Sequence, residues 1–328
     1  MRDGSTTRRR MLAAAAGAAA LAPPAARAQA AWPERPVTVV NPFAPGGFTD
    51  GFGRGLLQQV SRALGQPFVL DYRPGAGATI GALSVARSAP DGYTLLYSPT
   101  TAWVVSPWLR GAAYDPATAF APVAEIAQTP MVLTAKAAAP FRDVTGLVSE
   151  ARRRPGEIAY ASAGAGSLPH LMGTLFASVA GLRLNHVPYR GGAPAMNDLL
   201  AGHVDLMFEA VPNVAQHAAA GRAAPLMISG AARSPLLPEV PTVRETGFPD
   251  LDLTSWIGLG GPAGLPGPIV AALNREVNAA LAAEETRAAM ARLGMVPLGG
   301  PPEAMAARIA REGALYRRLI EGAGITAE

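Results

Sequence analysis

A chain of 328 residues, 49% of them hydrophobic, can bury one large or two medium cores, and its 36 glycines and 31 prolines fall between periodic segments, which points away from disorder. With no cysteine there is no disulfide, Cys-ligated zinc, thiol nucleophile or lipidated cysteine anchor. The net charge of +4 belongs to the N-terminus, where residues 1–28 hold five arginines (2, 8, 9, 10 and 27) and one aspartate (3), so the remainder is near neutral and nucleic-acid binding loses its main support.

That N-terminus has a basic start, a short apolar run and Ala26-Arg27-Ala28 before Gln29, the pattern of a cleaved export signal over 1–28. Thr7-Arg8-Arg9-Arg10-Met11-Leu12 resembles a twin-arginine signal, although the general secretion route fits equally well. No later apolar stretch is long enough to span a bilayer. The next segments alternate between two periods. "RPVTVVNPF" reads as a strand, "RGLLQQVSRAL" as a helix ended by Gly65, "PFVLDYRP" as a strand, "TIGALSVARSA" as a helix and "YTLLYS" as a third strand. A second series follows from about residue 130. "MVLTAK", "IAYAS", "LNHVPY" and "VDLMFEA" read as strands, with helices around "LVSEARRR", "HLMGTLFASVA" and "PAMNDLLAG" between them. Two such series imply two α/β lobes with parallel strands. "PIVAALNREVNAALAAE" and "PPEAMAARIAREGALYRRLIE" are helices that must pack on one lobe, and periodicity does not say which.

Two loops stand out. "VVNPFAPGGFTD" leaves a strand through Pro42, Pro45, Gly46 and Gly47 and meets a helix at Thr49-Asp50. Ligands of open parallel sheets sit beyond the strands' carboxyl ends, where a helix N-terminus presents N–H groups and a positive dipole end to an anion. The alternative is a rigid turn with Thr49 or Asp50 as helix cap. "YASAGAGSLPHL" repeats the design, with Ser162 and Ser167 as hydroxyls, Gly164 and Gly166 allowing close approach, and Ser167 as a cap candidate. Anion-friendly loops in two separate series imply a cleft between lobes.

"PFAPGGFTD", "DYRPGAGATIG", "APDGYTLLYSPTT", "YASAGAGSLPHL", "HVPYRGGAPAMNDLLAGHVDLMF", "LPEVPTVRETGFP" and "WIGLGGPAGLP" follow one another as in the Bug family, the substrate-binding proteins of tripartite tricarboxylate transporters, and the match runs from Trp32 to Ile325. The resemblance implies a type II periplasmic binding protein: two α/β lobes joined by crossing strands, lobe 1 over 29–131 and 255–328, lobe 2 over 132–254. It implies a monomeric periplasmic receptor that closes on a small mono-, di- or tricarboxylate and delivers it to membrane subunits, with no cofactor, metal or catalysis. Its ligand loops fall on Phe43, Pro45, Gly46, Gly47, Phe48, Thr49 and Asp50, and on Ser98, Pro99, Thr100, Thr101 and Ala102. In lobe 2 they fall on Ser162, Ala163, Gly164, Gly166, Ser167 and His170, with Tyr189, Arg190, Gly191, Gly192 and Asp205 nearby. Glu209 stands where the family often has aspartate. Phe48 and Trp103 are bulky at variable places, which suggests an apolar or aromatic distal half of the ligand.

Rival chemistries are weaker. "GAGATIG" is an imperfect dinucleotide fingerprint, and the next strand ends without an acidic residue. Ser167 lies outside a G-x-S-x-G elbow, so an exported α/β hydrolase using Ser167, His186 and Asp205 is the alternative rather than the first reading. His170, His186, His203 and His217 lack close metal-ligand spacing, and Arg152-Arg153-Arg154 reads as a solvated helix end.

Overall fold

The computed structural model describes residues 32–109 and 114–322, apart from the side chains of Phe48 and Leu109; the export signal expected over 1–28 lies outside the described residues. Strand β1 (Val37–Asn41) buries Val37, Val39 and Val40 completely, and β2 (Phe68–Tyr72) and β3 (Thr94–Pro99) pair with it in parallel on either side. Parallel pairing needs crossovers. The helix Phe48–Leu64 supplies the first by placing Phe52, Leu56, Leu57 and Val60 on one apolar face, and Gly65, at φ 73°, ends it with its N–H on Ser61 O. The helix Thr79–Ala86 supplies the second.

The strand β4 (Phe120–Lys136) is far longer than periodicity indicates, because Pro122 and Pro130 interrupt its pattern. Its first part pairs antiparallel with β9 (Thr254–Pro262), from Phe120 opposite Pro262 to Pro130 opposite Thr254, and the register shifts next to Pro122. From Met131 onward its neighbours are β7 (Leu206–Ala210) and β8 (Ala223–Ile228). One strand thus belongs to two lobes, and the partner changes between Pro130 and Met131.

In the second lobe β5 (Ala159–Ser162) runs parallel to β6 (Asn185–Pro188) and to β7. The sheet path among the described residues is β2-β1-β3-β9-β4-β7-β5-β6, with β8 and the short β10 (Val296–Pro297) attached to β4. The C-terminal helices return to the first lobe. Leu273 and Val277 of the helix Gly267–Ala282 join the core of Leu56 and Val60, while Met305, Ile309 and Tyr316 of the helix Pro302–Gly322 join that of Trp103 and Phe120. Arg308 anchors the last helix to the crossing strand β4 through Glu125 at 3.3 Å and Gln128 at 3.2 Å.

The consequence for function is positional. The carboxyl ends of β1 and β3 in one lobe and of β5 and β7 in the other open toward the same gap. No helix among the described residues is long and apolar enough to cross a membrane.

Candidate functional site

The loop after β1 is held from both ends by one buried side chain. Asn41 accepts from Phe43 N through Oδ1 (3.2 Å) and donates through Nδ2 to Thr49 Oγ1 (3.3 Å). Neither Thr49 nor Asp50 caps the following helix, contrary to the sequence expectation: the helix begins at Phe48, so the cap position falls on Gly47, which has no side chain to offer. Asp50, inside the first turn, reaches back to accept from Gly46 N at 2.9 Å, and also takes Arg54 Nε (2.8 Å) and the Tyr72 hydroxyl. Burial pushes the Asp50 carboxyl up, but the hydrogen bonds from Tyr72, Gly46 and Arg54 outweigh it and hold the group below the usual aspartate range. Burial and the same contact with Asp50 push the Tyr72 hydroxyl up to about 12. Asp50 therefore fixes the loop's shape from behind, and Pro45 and Gly46 are exposed on its outer side.

The strand end of β3 forms the next wall. Thr100 Oγ1 accepts from Trp256 N (2.7 Å) and donates to Trp256 O (3.2 Å), tying β3 to β9. Ala102 and Trp103 turn inward: Ala102 O accepts from the Tyr114 hydroxyl (2.5 Å), and Trp103 donates to Ser98 O (2.9 Å) and packs on Phe120 and Trp256. Trp103 is thus a core residue, fully buried, because the π-helix Thr101–Val105 rotates its whole length into the first lobe. It does not shape the ligand's distal half; the side chain of Phe48 lies outside the described residues.

In the second lobe, Ser162 Oγ pairs with His186 Nε2 (2.7 Å) and accepts from Gly164 N (3.2 Å). His170 Nδ1 accepts from Gly166 N (3.1 Å), and Ser167 Oγ accepts from His170 N (3.3 Å) as the cap of the helix Leu168–Ala180. The two imidazoles stack at 4.0 Å, and burial lowers His186 to about 4, so it is neutral at pH 7. The Tyr189 hydroxyl donates to Asp198 Oδ2 (2.5 Å). Asp205 stands at the start of β7, at the other end of the sheet, paired with Lys136 Nζ (2.7 Å) and accepting from Ala159 N (2.8 Å). Ser167, His186 and Asp205 are each engaged with a different partner, so they do not assemble as a triad.

The lobes touch across the gap. Ala44 N donates to Arg190 O (3.2 Å), and Leu168 N donates to Thr101 Oγ1 (3.2 Å). The loop of Gly77 comes so close that a Cβ there would stand 2.3 Å from Ala165 O, which only glycine avoids. Its neighbours Ala76 and Ala78 adopt φ 48° and 76°, strain of the kind that collects where a surrounding contact enforces it. Valine at Thr101 keeps the shape but removes the acceptor for Leu168 N. Closure should then cost about 1 kcal/mol more, a roughly fivefold loss of affinity for a bound carboxylate. Calorimetry should show this with unfolding of the empty protein little changed, and equal affinity would make the Thr101 contact incidental.

The enclosed gap has about 470 Å³ of free space, open solvent at its mouth included. Of the expected residues, Phe43, Gly47, Thr49, Thr101 and Ala163 line it, together with Pro99 and Gly192. Asp50, Thr100, Ala102, Ser162, Gly164, Gly166, Ser167, His170 and Tyr189 lie outside this lining, and several of them brace the loops that form it. Ala44 belongs to the expected Phe43–Asp50 loop, and Met131, Leu168, Pro169, Asn213 and Ser255 line the gap without having been expected. Leu168 and Pro169 were within reach, since they follow the Ser167 cap directly; Met131 and Ser255 come from the crossing strands, whose convergence carries no local signal.

Four helices begin at this gap. Gly47 and Thr49 open Phe48–Leu64, Leu168 and Pro169 open Leu168–Ala180, Gly192 opens Gly192–Ala201, and Asn213 lies in the first turn of Val211–Ala219. Among the described residues that line the gap there is no lysine, arginine or histidine. The positive character comes from the helix ends, where the first N–H groups have no partner within the helix. Among the described lining residues the one ionisable side chain is Glu209, 4% exposed, at the end of β7. It accepts from Ala210 N at 2.8 Å, and its Oε2 would be 2.1 Å from a Cβ on Gly192. Burial raises it to about 7, against the opposing hydrogen bonds from Ala210 N and the Asn213 side chain.

A family model described as the tripartite tricarboxylate transporter family receptor matches residues 53–325. The chain is 40% identical over 299 residues to a UPF0065 protein in the tcbD-tcbE intergenic region of Pseudomonas sp. strain P51, covering 90% of this chain and 89% of the relative. Among solved structures it resembles the periplasmic binding protein BugD, with a TM-score of 0.87, 34% identity and coverage of 90% of this chain and 100% of the other. It also resembles an R. palustris protein with adipate, with a TM-score of 0.85, 36% identity and coverage of 90% and 99%.

Proposed function

Because this chain belongs to the tripartite tricarboxylate transporter family of receptors and has the two-lobed fold of periplasmic binding proteins, we propose that it is an exported receptor that captures a small organic acid by lobe closure, passes it to membrane subunits and does not transform it. The observation that carries the reading is the convergence of four helix N-termini on one gap that, among the described residues, holds no basic side chain. Such ends bind a carboxylate through backbone N–H groups and dipoles. Phe43, Gly47, Thr49, Thr101 and Ala163 are the proposed contacts, and Asp50, Ser162, Ser167 and His170 hold the loops around them. The lobes turn about the crossing segments, at Pro130/Met131 where β4 changes partners and at the start of β9 beside it.

A thermal-shift panel of mono-, di- and tricarboxylates, run beside chromogenic esters, tests this. The cognate acid should add roughly 3 kcal/mol of stability at a hundredfold excess over its Kd, with no ester turnover. Ester turnover abolished by Ser167→Ala would revive the hydrolase instead.

Export is part of the proposal. N-terminal sequencing of the protein from the periplasmic fraction should begin near Gln29; a product in the cytoplasm retaining Met1 would remove it.

A further inference from the structure

The family reading leaves open what the captured acid carries at its second end. Glu209 bears on this, because a chain that recruits helix N-termini for a carboxylate has placed a carboxyl of its own among them. That carboxyl occupies the start of the helix Val211–Ala219, where it takes Ala210 N and the Asn213 side chain, the groups an incoming anion would otherwise use. Gly192, packed against Oε2, leaves it no room on that side. No cation among the lining residues would offset a second negative charge beside it. Of the remaining helix starts, the one at Leu168–Pro169 already gives its Leu168 N–H to Thr101 and its His170 N–H to Ser167, which leaves the start at Gly47–Thr49, free of acidic lining residues among those described, for the carboxylate. Phe43, Pro99 and Met131 add apolar surface to the same lining.

We propose that Glu209 selects a monocarboxylate whose far end presents a hydrogen-bond donor, a hydroxyl or an ammonium, with the ligand carboxylate held at the Gly47 helix start and the donor on Glu209. This rests on the carboxylate-receptor reading and sharpens it. A dicarboxylate would set two carboxylates against one another in a desolvated gap, where like charges disfavour each other strongly. A donor satisfies Glu209 at no such cost, and an alkanoate with no second polar end leaves its buried oxygen without the partner.

The test uses the whole secreted protein and its Glu209→Gln variant at pH 8, with four matched series of roughly four to eight carbons: ω-hydroxy acids, ω-amino acids, alkanoates and α,ω-dicarboxylates, followed by thermal shift and calorimetry. In the wild type, one donor-bearing series should bind at least about tenfold tighter than the dicarboxylates of equal length. In Glu209→Gln that preference should shrink, with dicarboxylates gaining affinity. Dicarboxylates binding best to the wild type, with affinity unchanged in Glu209→Gln, would overturn the selection while leaving the receptor reading intact. A preference for donors that persists unchanged in the variant would overturn the role of Glu209. If no member of any series binds, the carboxylate-receptor reading itself fails, and this inference falls with it.

Discussion

Glutamine in place of Glu209 should make the empty protein more stable above pH 7, by roughly 3 kcal/mol, and should leave its stability in acid almost unchanged. The folded carboxyl titrates at about 7, whereas an unperturbed glutamate titrates at 4.5. Between those values the folded chain holds the proton more often than the unfolded chain does. Stability therefore falls as pH rises through the window from about 4.5 to 7, and the loss is complete above it. The cause is burial of a charge that two hydrogen bonds offset only in part. Glutamine keeps an oxygen for Ala210 N and never ionises, so the variant should lack this part of the pH dependence. Urea titrations at pH 4, 6 and 8 would measure it. A stability difference between the two proteins that stays the same at pH 4 and pH 8 would mean that the carboxyl is not desolvated. A cost of this size in the empty receptor is the kind retained for function, which agrees with Glu209 facing the ligand.

Valine at Gly47 should abolish most carboxylate binding, about a hundredfold in Kd, while the fold survives. The backbone there has φ −76° and ψ 172°, a region open to any residue, so the substitution introduces no strain. A Cβ at this position meets nothing within 4 Å, and Gly47 lines the gap, so a valine there finds room only where the ligand carboxylate must approach. The cap position loses little, since valine is poorer there than glycine by about 1 kcal/mol or less. Gly46 is the contrasting control. Its φ is +88°, and valine there should cost stability through the backbone, about 1–3 kcal/mol. Thermal unfolding without ligand, set beside calorimetric titration with the best carboxylate of the panel, separates the two effects. Intact affinity in a folded Gly47→Val protein would make this loop a turn only and would move the carboxylate to the Ala163–Leu168 side.

The first three strands, the strands β5 to β7 and their helices are legible in the sequence, whereas the full length of β4 and the strands β8 and β9 are not. Leu56, Leu57 and Val60 at helical spacing before Gly65, and the valines of β1, state which face is buried, and that information is local. The loops at Gly46–Gly47 and Gly164–Ser167 were legible for the same reason, since backbone demands appear as glycine, proline and serine where they arise. Which side chains meet is set by the packing of segments far apart in the chain. Asp205 and Glu209 lie on one short stretch, but β7 carries them to opposite ends of its sheet, so Asp205 pairs with Lys136 and Glu209 enters the gap. Trp103 looked available to a ligand until a π-helix turned it inward, and β4 was hidden by its own prolines. Met131, Asn213 and Ser255 meet across long sequence separations because β4 changes partners at Pro130 and β9 returns beside it. Periodicity records how a segment relates to its own axis. The convergence of four helix starts on one gap depends on which strands pair across the crossing, and that is a property of non-local contacts.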